Sequence, residues 1–145
     1  MYKIDATQTI EKPIEQVFEF ASRPETNQLW SGDKIERTPL PTGPGLVACT
    51  RIKVHSPIGV PLEVVEEMTE YTPGGGYASR IREVHGWVAS QSSWRYTAVP
   101  RGTQVRVQHE VELHGWMRWL GPLFLWGARL KTRRDLERMK MLLEK

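Results

Sequence analysis

A chain of 145 residues suits one domain and is too short for two ordinary ones. Hydrophobic residues at 39% and charged residues at 26% exclude a disordered chain, and a net charge of +3 is too small to point to nucleic acid. The one cysteine, Cys49, excludes an intrachain disulfide, and no stretch has the ~18 apolar residues of a spanning helix. The opening Met1-Tyr2-Lys3-Ile4-Asp5 lacks the apolar core of a secretory signal, so a cytoplasmic location is expected.

Tyr2, Ile4, Ala6 and Ile10 alternate with Lys3, Asp5, Thr7 and Thr9, which predicts a half-buried strand over residues 2–10. Lys12-Pro13 stops it. Ile14, Val17, Phe18 and Ala21 then recur at helical spacing, with Pro13 suited to the first helical position. Pro24 closes that helix and opens a second, which runs to the region of Trp30. Ser31-Gly32 begins a poorly patterned stretch. Thr38 to Gly45 holds three prolines and two glycines and reads as a loop. Strand-like segments follow at about 46–55, 62–71, 77–84 and 87–98, and a last one runs from Thr103 to His114. The turn-formers between them are too short for parallel crossovers, so the middle of the chain is an antiparallel meander. From Pro122 to Glu144 the pattern is helical, about 34 Å long at 1.5 Å per residue. Leu123, Trp126, Leu130, Leu136, Met139 and Leu143 mark one face; Arg129, Lys131, Arg133, Arg134, Arg138 and Lys140 mark the other.

The order is therefore β, α, α, about six β, then one long α, an α+β chain. A single sheet must bury its apolar face against something, and the C-terminal helix alone is long enough to cover it. A curved sheet gripping one helix leaves a space between them that suits a small ligand.

Several local signatures accompany this order. Thr9-Ile10-Glu11-Lys12-Pro13-Ile14-Glu15-Gln16-Val17-Phe18 resembles a strand that ends at a P-x-x-x-V-[FW] helix start. Arg23-Pro24 followed by Trp30 is similar to a second-helix pattern. Trp94-Arg95-Tyr96 followed by Gly102-Thr103-Gln104-Val105 is similar to a penultimate hairpin with Y-x-[FV]…GT-x-[VL]. Leu136, Lys140 and Leu143-Glu144 are similar to a closing L…LK…LE. Together, over nearly the whole chain, these resemble the START / Bet v 1-like superfamily, and more closely its polyketide cyclase/dehydrase and lipid-transport (SRPBCC) group. The resemblance implies a helix-grip fold over residues 1–145: a curved antiparallel sheet, β-α-α-β6-α, wrapped around the long C-terminal helix. Members include hydrophobic-ligand carriers, aromatic polyketide cyclases and stress-response proteins. The resemblance therefore implies a cavity and no particular reaction, and it supplies no universal catalytic motif.

His109 shares its strand phase with Val105, Val107, Val111 and Leu113 and should point inward. Two readings are open: a proton donor or acceptor facing a ligand, or a core histidine satisfied by a neighbour. Glu66, in phase with Leu62, Val64 and Met68, is the best inward carboxylate, or else a rim residue. Trp94 shares a phase with Tyr96, and Tyr77 with Ile81. These aromatics either line a pocket or are plain core, and the Tyr96 hydroxyl could polarise a carbonyl. The catalytic candidates are thus His109, Tyr96 and Glu66. The expected ligand lining adds Trp30, Val64, Met68, Tyr77, Ile81, Trp94, Val107, Phe124 and Trp126. No G-x-S-x-G, Cys-x-x-Cys, P-loop or dinucleotide fingerprint is present, and the histidines lack ligand spacing, so neither cofactor nor metal is expected.

Trp116 to Trp126 is very apolar and precedes a basic helix. One reading is a membrane-surface anchor. The favoured reading has Leu123, Phe124 and Trp126 sealing the cavity. The leading expectation is a binder of a small hydrophobic or aromatic molecule, lipid or polyketide-like, in the internal cavity. The alternatives are a cyclase or dehydrase using that cavity, and a membrane- or partner-docking protein acting through residues 116–126. No nucleic-acid partner is expected. Transient membrane contact and a homodimer both stay open.

Overall fold

In the computed structural model, described over residues 2–23, 26, 29, 34–55 and 61–145, the alternating first segment forms strand β1 (Tyr2–Ile10). Ile4 and Ile10 are buried, while Lys3 and Asp5 face solvent. Pro13 stands in extended geometry just before helix α1 (Ile14–Ser22), not inside it, and its carbonyl accepts the Val17 N–H at 3.1 Å. Arg23 is extended, as the clash with a following proline ring requires, so α1 ends there. In the second expected helix, Thr26 and Leu29 are helical, and Trp30 lies outside the described residues.

Strands β3 (Ala48–His55), β4 (Pro61–Thr72), β5 (Gly76–Glu83), β6 (Val88–Val99) and β7 (Gly102–Leu113) match the expected segments within two residues at each end. Strand β2 (Lys34–Pro39) is a correction. It occupies the stretch read as unpatterned and enters the supposed Thr38–Gly45 loop, pairing with β3 from Lys34↔His55 to Pro39↔Thr50. It is an edge strand, so Pro39 is tolerated at its end.

Among the described residues the sheet is seven-stranded and antiparallel, in the order β1-β7-β6-β5-β4-β3-β2. Strands β2 to β7 form the meander. Strand β1 returns from the other end of the sequence to lie beside β7, from Tyr2↔Val111 to Ile10↔Thr103. In β4 the register shifts between Met68 and Glu70, leaving Thr69 as a bulge. The bulge sets Tyr71 opposite Tyr77 and puts Glu70 on the outer side, where Arg95 meets it at 3.1 Å.

A 3₁₀ helix (Gly115–Leu120) turns the chain into helix α2 (Gly121–Leu143), which lies over β1. Ile4, Val111 and Leu113 pack with Phe124, Leu125 and Ala128 under its first half. Ile10, Val17, Tyr96, Val105 and Val107 pack with Leu136, Met139 and Leu143 under its second half. Burying a side chain such as Met139 contributes on the order of 2 kcal/mol. At Gly121 a Cβ would collide with the Tyr2 hydroxyl and ring, so a larger residue there would have to displace that side chain. This is the expected α+β helix-grip fold, with the helix set toward the β1 side of the sheet.

Candidate functional site

Strand alternation and the observed register place the site. On the face turned toward α2, Glu66, Ile81 and Ser90 form one cross-strand row. Met68, Ser79, Ser92 and His109 form the next, and Tyr77, Trp94 and Val107 the one after. The two apolar clusters under α2 draw their buried members from β1, β6, β7, α1 and α2 among the described residues. Toward β4 and β5 the same face is less tightly packed: Met68, Tyr77, Ile81, Trp94 and His109 are half-buried although all point inward.

A polar band crosses this apolar surface. Ser79 donates to Glu66 Oε2 at 3.4 Å. Ser92 Oγ and His109 Nδ1 share a hydrogen bond of 2.7 Å, and Ser90 Oγ lies 3.4 Å from Ser92 Oγ. Ser79 and Ser92 face each other across β5 and β6 and are 3% and 6% exposed. Glu66, Ser79, Ser92 and His109 therefore follow one another across four adjacent strands.

Burial governs the charges in this band. It pushes the Glu66 carboxyl above its usual range, opposed by the Arg37 charge and the Ser79 hydroxyl. Burial also raises the Tyr77 phenol, with the Glu66 charge adding to it and Arg37 opposing, so these three groups share one electrostatic neighbourhood. Burial lowers His109, which leaves its imidazole neutral at pH 7. Burial raises Tyr96 well above its ordinary value, with Tyr77 contributing. The band thus sets a neutral imidazole, serine hydroxyls and the Glu66 carboxyl, donors and acceptors suited to a ligand hydroxyl or carbonyl, among apolar side chains. Among the described residues, no three of His, Cys, Asp and Glu stand together as metal ligands.

The three catalytic candidates do not meet. Tyr96 pairs with Val105, four residues along β7 from His109, or about 13 Å at strand rise. Glu66 is three strand spacings from His109, about 14 Å along the sheet. Tyr96 is 5% exposed and packs edge-on against Phe18 at 5.2 Å, so it is core, and fully buried Val107 is core as well. Phe124 packs on the Ile4–Val111–Leu113 cluster under the first half of α2. The expectation that Leu123 and Trp126 seal a cavity is also corrected: they are 65% and 66% exposed, because α2 presents Phe124 and Leu125 to the sheet instead. Val64 is buried on the inner face, in phase with Glu66 and Met68.

Sequence reasoning missed Arg37, Ser79 and Ser92. Ser90 and Ser92 alternate in phase with Trp94, and that signal was open to a reader of the sequence. It also missed Glu83, 6% exposed, whose carboxylate accepts the backbone N–H groups of His85 at 2.9 Å and Trp87 at 3.3 Å and so ties the β5–β6 turn. Arg51, Arg82 and Arg95 lie on the outer face, bridged to Glu63, Glu67 and Glu70. Two open depressions of about 330 and 550 Å³ lie along the sheet, bordered by polar residues such as Arg80, Gln91 and Glu110, and the larger also borders Ser79, Ser92 and His109.

Residues 1–144 match the family described as "Polyketide cyclase / dehydrase and lipid transport". No curated protein matches the sequence. Solved structures share the fold. A protein from Chromobacterium violaceum superposes with a TM-score of 0.75 at 12% identity, covering 99% of this chain and 97% of its own. One from Rhizobium leguminosarum gives 0.70 at 20% identity, covering 99% and 94%. Ara h 8.0201 gives 0.71 at 10% identity, covering 98% and 97%. At these identities the likeness concerns the fold alone.

Proposed function

The chain belongs to the polyketide cyclase / dehydrase and lipid transport family, whose members typically bind hydrophobic ligands, and from that premise we propose that it is a carrier of a small hydrophobic or aromatic molecule. The ligand lies against the inner face of the sheet beside β4, β5 and β6. One observation carries this reading: the inner face pairs half-buried Met68, Tyr77, Ile81 and Trp94 with a hydrogen-bonded polar band. Tyr77 and Trp94 lie nearly parallel, with ring centroids 6.4 Å apart and planes 13° from each other. Such rings offer flat apolar surface to a flat ligand. Apolar burial supplies most of the affinity, at roughly 25 cal/mol per Å² before the costs of ordering. His109, Ser92 and Glu66 orient the ligand's polar group.

Solvent extraction and native mass spectrometry of the purified protein test this. A bound apolar compound is expected, and Trp94→Ala should weaken its rebinding at least tenfold. An empty extract, together with no uptake of apolar dyes, overturns it.

One observation favours an enzyme as a second reading. A neutral, sheltered His109 hydrogen-bonded to Ser92 can take a proton as a general base near pH 7. His109→Ala should then abolish turnover of an activated carbonyl compound while ligand binding survives.

A further inference from the structure

Trp116, Trp119, Leu120, Leu123 and Trp126 are respectively 52%, 88%, 41%, 65% and 66% exposed. All five fall within residues 116–126. Trp119, Leu123 and Trp126 follow at helical spacing from the 3₁₀ helix into α2. Trp116 is braced edge-on by Trp87 at 5.5 Å, and Trp87 is stacked on His85 at 4.6 Å. The tip of the β5–β6 hairpin therefore stiffens the patch from behind. Exposed apolar groups on this scale mark a contact surface.

The charge around the patch identifies what it contacts. Residues 115–134 carry Arg118, Arg129, Lys131, Arg133 and Arg134 and no Asp or Glu. Arg118, Arg133 and Arg134 are exposed and, among the described residues, have no acidic partner. A second copy is a poor occupant, because an isologous contact would bring together two copies of the same patch, each with Arg118, Arg133 and Arg134 and no acidic residue over 115–134 to neutralise them. An anionic phospholipid surface satisfies both halves of the pattern. Tryptophans are at home at the headgroup level, and each basic side chain near the surface adds attraction.

We infer that this protein docks on anionic phospholipid bilayers through Trp119, Leu123 and Trp126, with Arg118, Arg133 and Arg134 on the headgroups. The inference is independent of ligand carriage. Helix α2 lies along the bilayer and its opposite face stays on the sheet, so docking requires no unfolding.

The test is flotation of the whole chain with vesicles of phosphatidylcholine alone and of phosphatidylcholine mixed with phosphatidylglycerol. The protein should float with the mixed vesicles at low salt and much less with the neutral ones. Trp119→Ser combined with Trp126→Ser should abolish flotation. Arg133→Gln and Arg134→Gln should each reduce partitioning about fivefold. If the tryptophan variant fails to fold, shallow brominated acyl chains should still quench the tryptophan emission of the unaltered protein. Absence of flotation on anionic vesicles, flotation unchanged in both sets of variants, or a solution dimer lost on substituting Trp119 and Trp126 would each overturn the inference.

Discussion

Burial without a countercharge leaves a signature on His109. Its pKa in the folded chain is lowered, so the unfolded chain takes up a proton first as pH falls through the ordinary value of 6.5. The histidine therefore adds nothing against folding above that pH and costs stability progressively below it. His109→Gln should remove this slope. Urea denaturation at pH 7.5 and pH 5 should show a smaller loss for the variant than for the unaltered protein, and equal losses would place His109 outside this linkage. Glu66 works in the opposite sense. Its raised pKa makes the ionised carboxylate the costly form, so its contribution improves as pH falls toward the ordinary value of 4.5. That His109 and Glu66 point inward was legible from strand alternation. That each bonds to a serine on a neighbouring strand was not, because cross-strand register decides which side chains face each other.

Among the elements, the Gly102-Thr103 pair at the start of β7 has a structural role that its resemblance to a family signature did not explain. Gly102 has φ +146, and a Cβ there would run into the Ile10 carbonyl. Thr103 is fully buried and donates to the Lys12 carbonyl at 2.8 Å. The pair clamps the corner where β1 gives way to α1. Thr103→Val keeps the shape and orphans that carbonyl, at a cost of about 1–3 kcal/mol measured by denaturant unfolding. The elements with strong periodicity were legible: β1, α1, β3 to β7 and the C-terminal helix. Strand β2 was not, because an edge strand bonded on one side can carry Arg37 inward and end in Pro39. Nor was the bulge at Thr69, since one surplus residue leaves no trace in composition. Helix α2 misled in another way. Leu123 and Trp126 are as apolar as Phe124 and Leu125, and only the seat of the helix on β1 and β7 separates the two faces.

For the molecule as a whole, the carrier reading predicts linkage between ligand and fold. A ligand at a hundredfold excess over its Kd should add about 2.7 kcal/mol, or roughly 5–10 °C in melting temperature. A thermal shift that saturates with the identified compound and vanishes in Trp94→Ala would bear it out. The modest overall charge also divides unevenly. Residues 118–145 hold eight Lys and Arg against three Asp and Glu, so the basic character belongs to the helical end and the sheet is slightly acidic. The β1–β7 pairing has a further consequence, for synthesis. Strand β1 is made before the meander, yet among the described residues its sheet partner spans residues 102–113, and the helix that covers it ends at Leu143. The hairpins of the meander can zip locally as they emerge, whereas Ile4 and Ile10 stay uncovered until residues 102–143 have followed. Closing a loop of about a hundred residues is slow compared with forming a hairpin. The growing chain thus carries an unpaired apolar strand while the meander is being made.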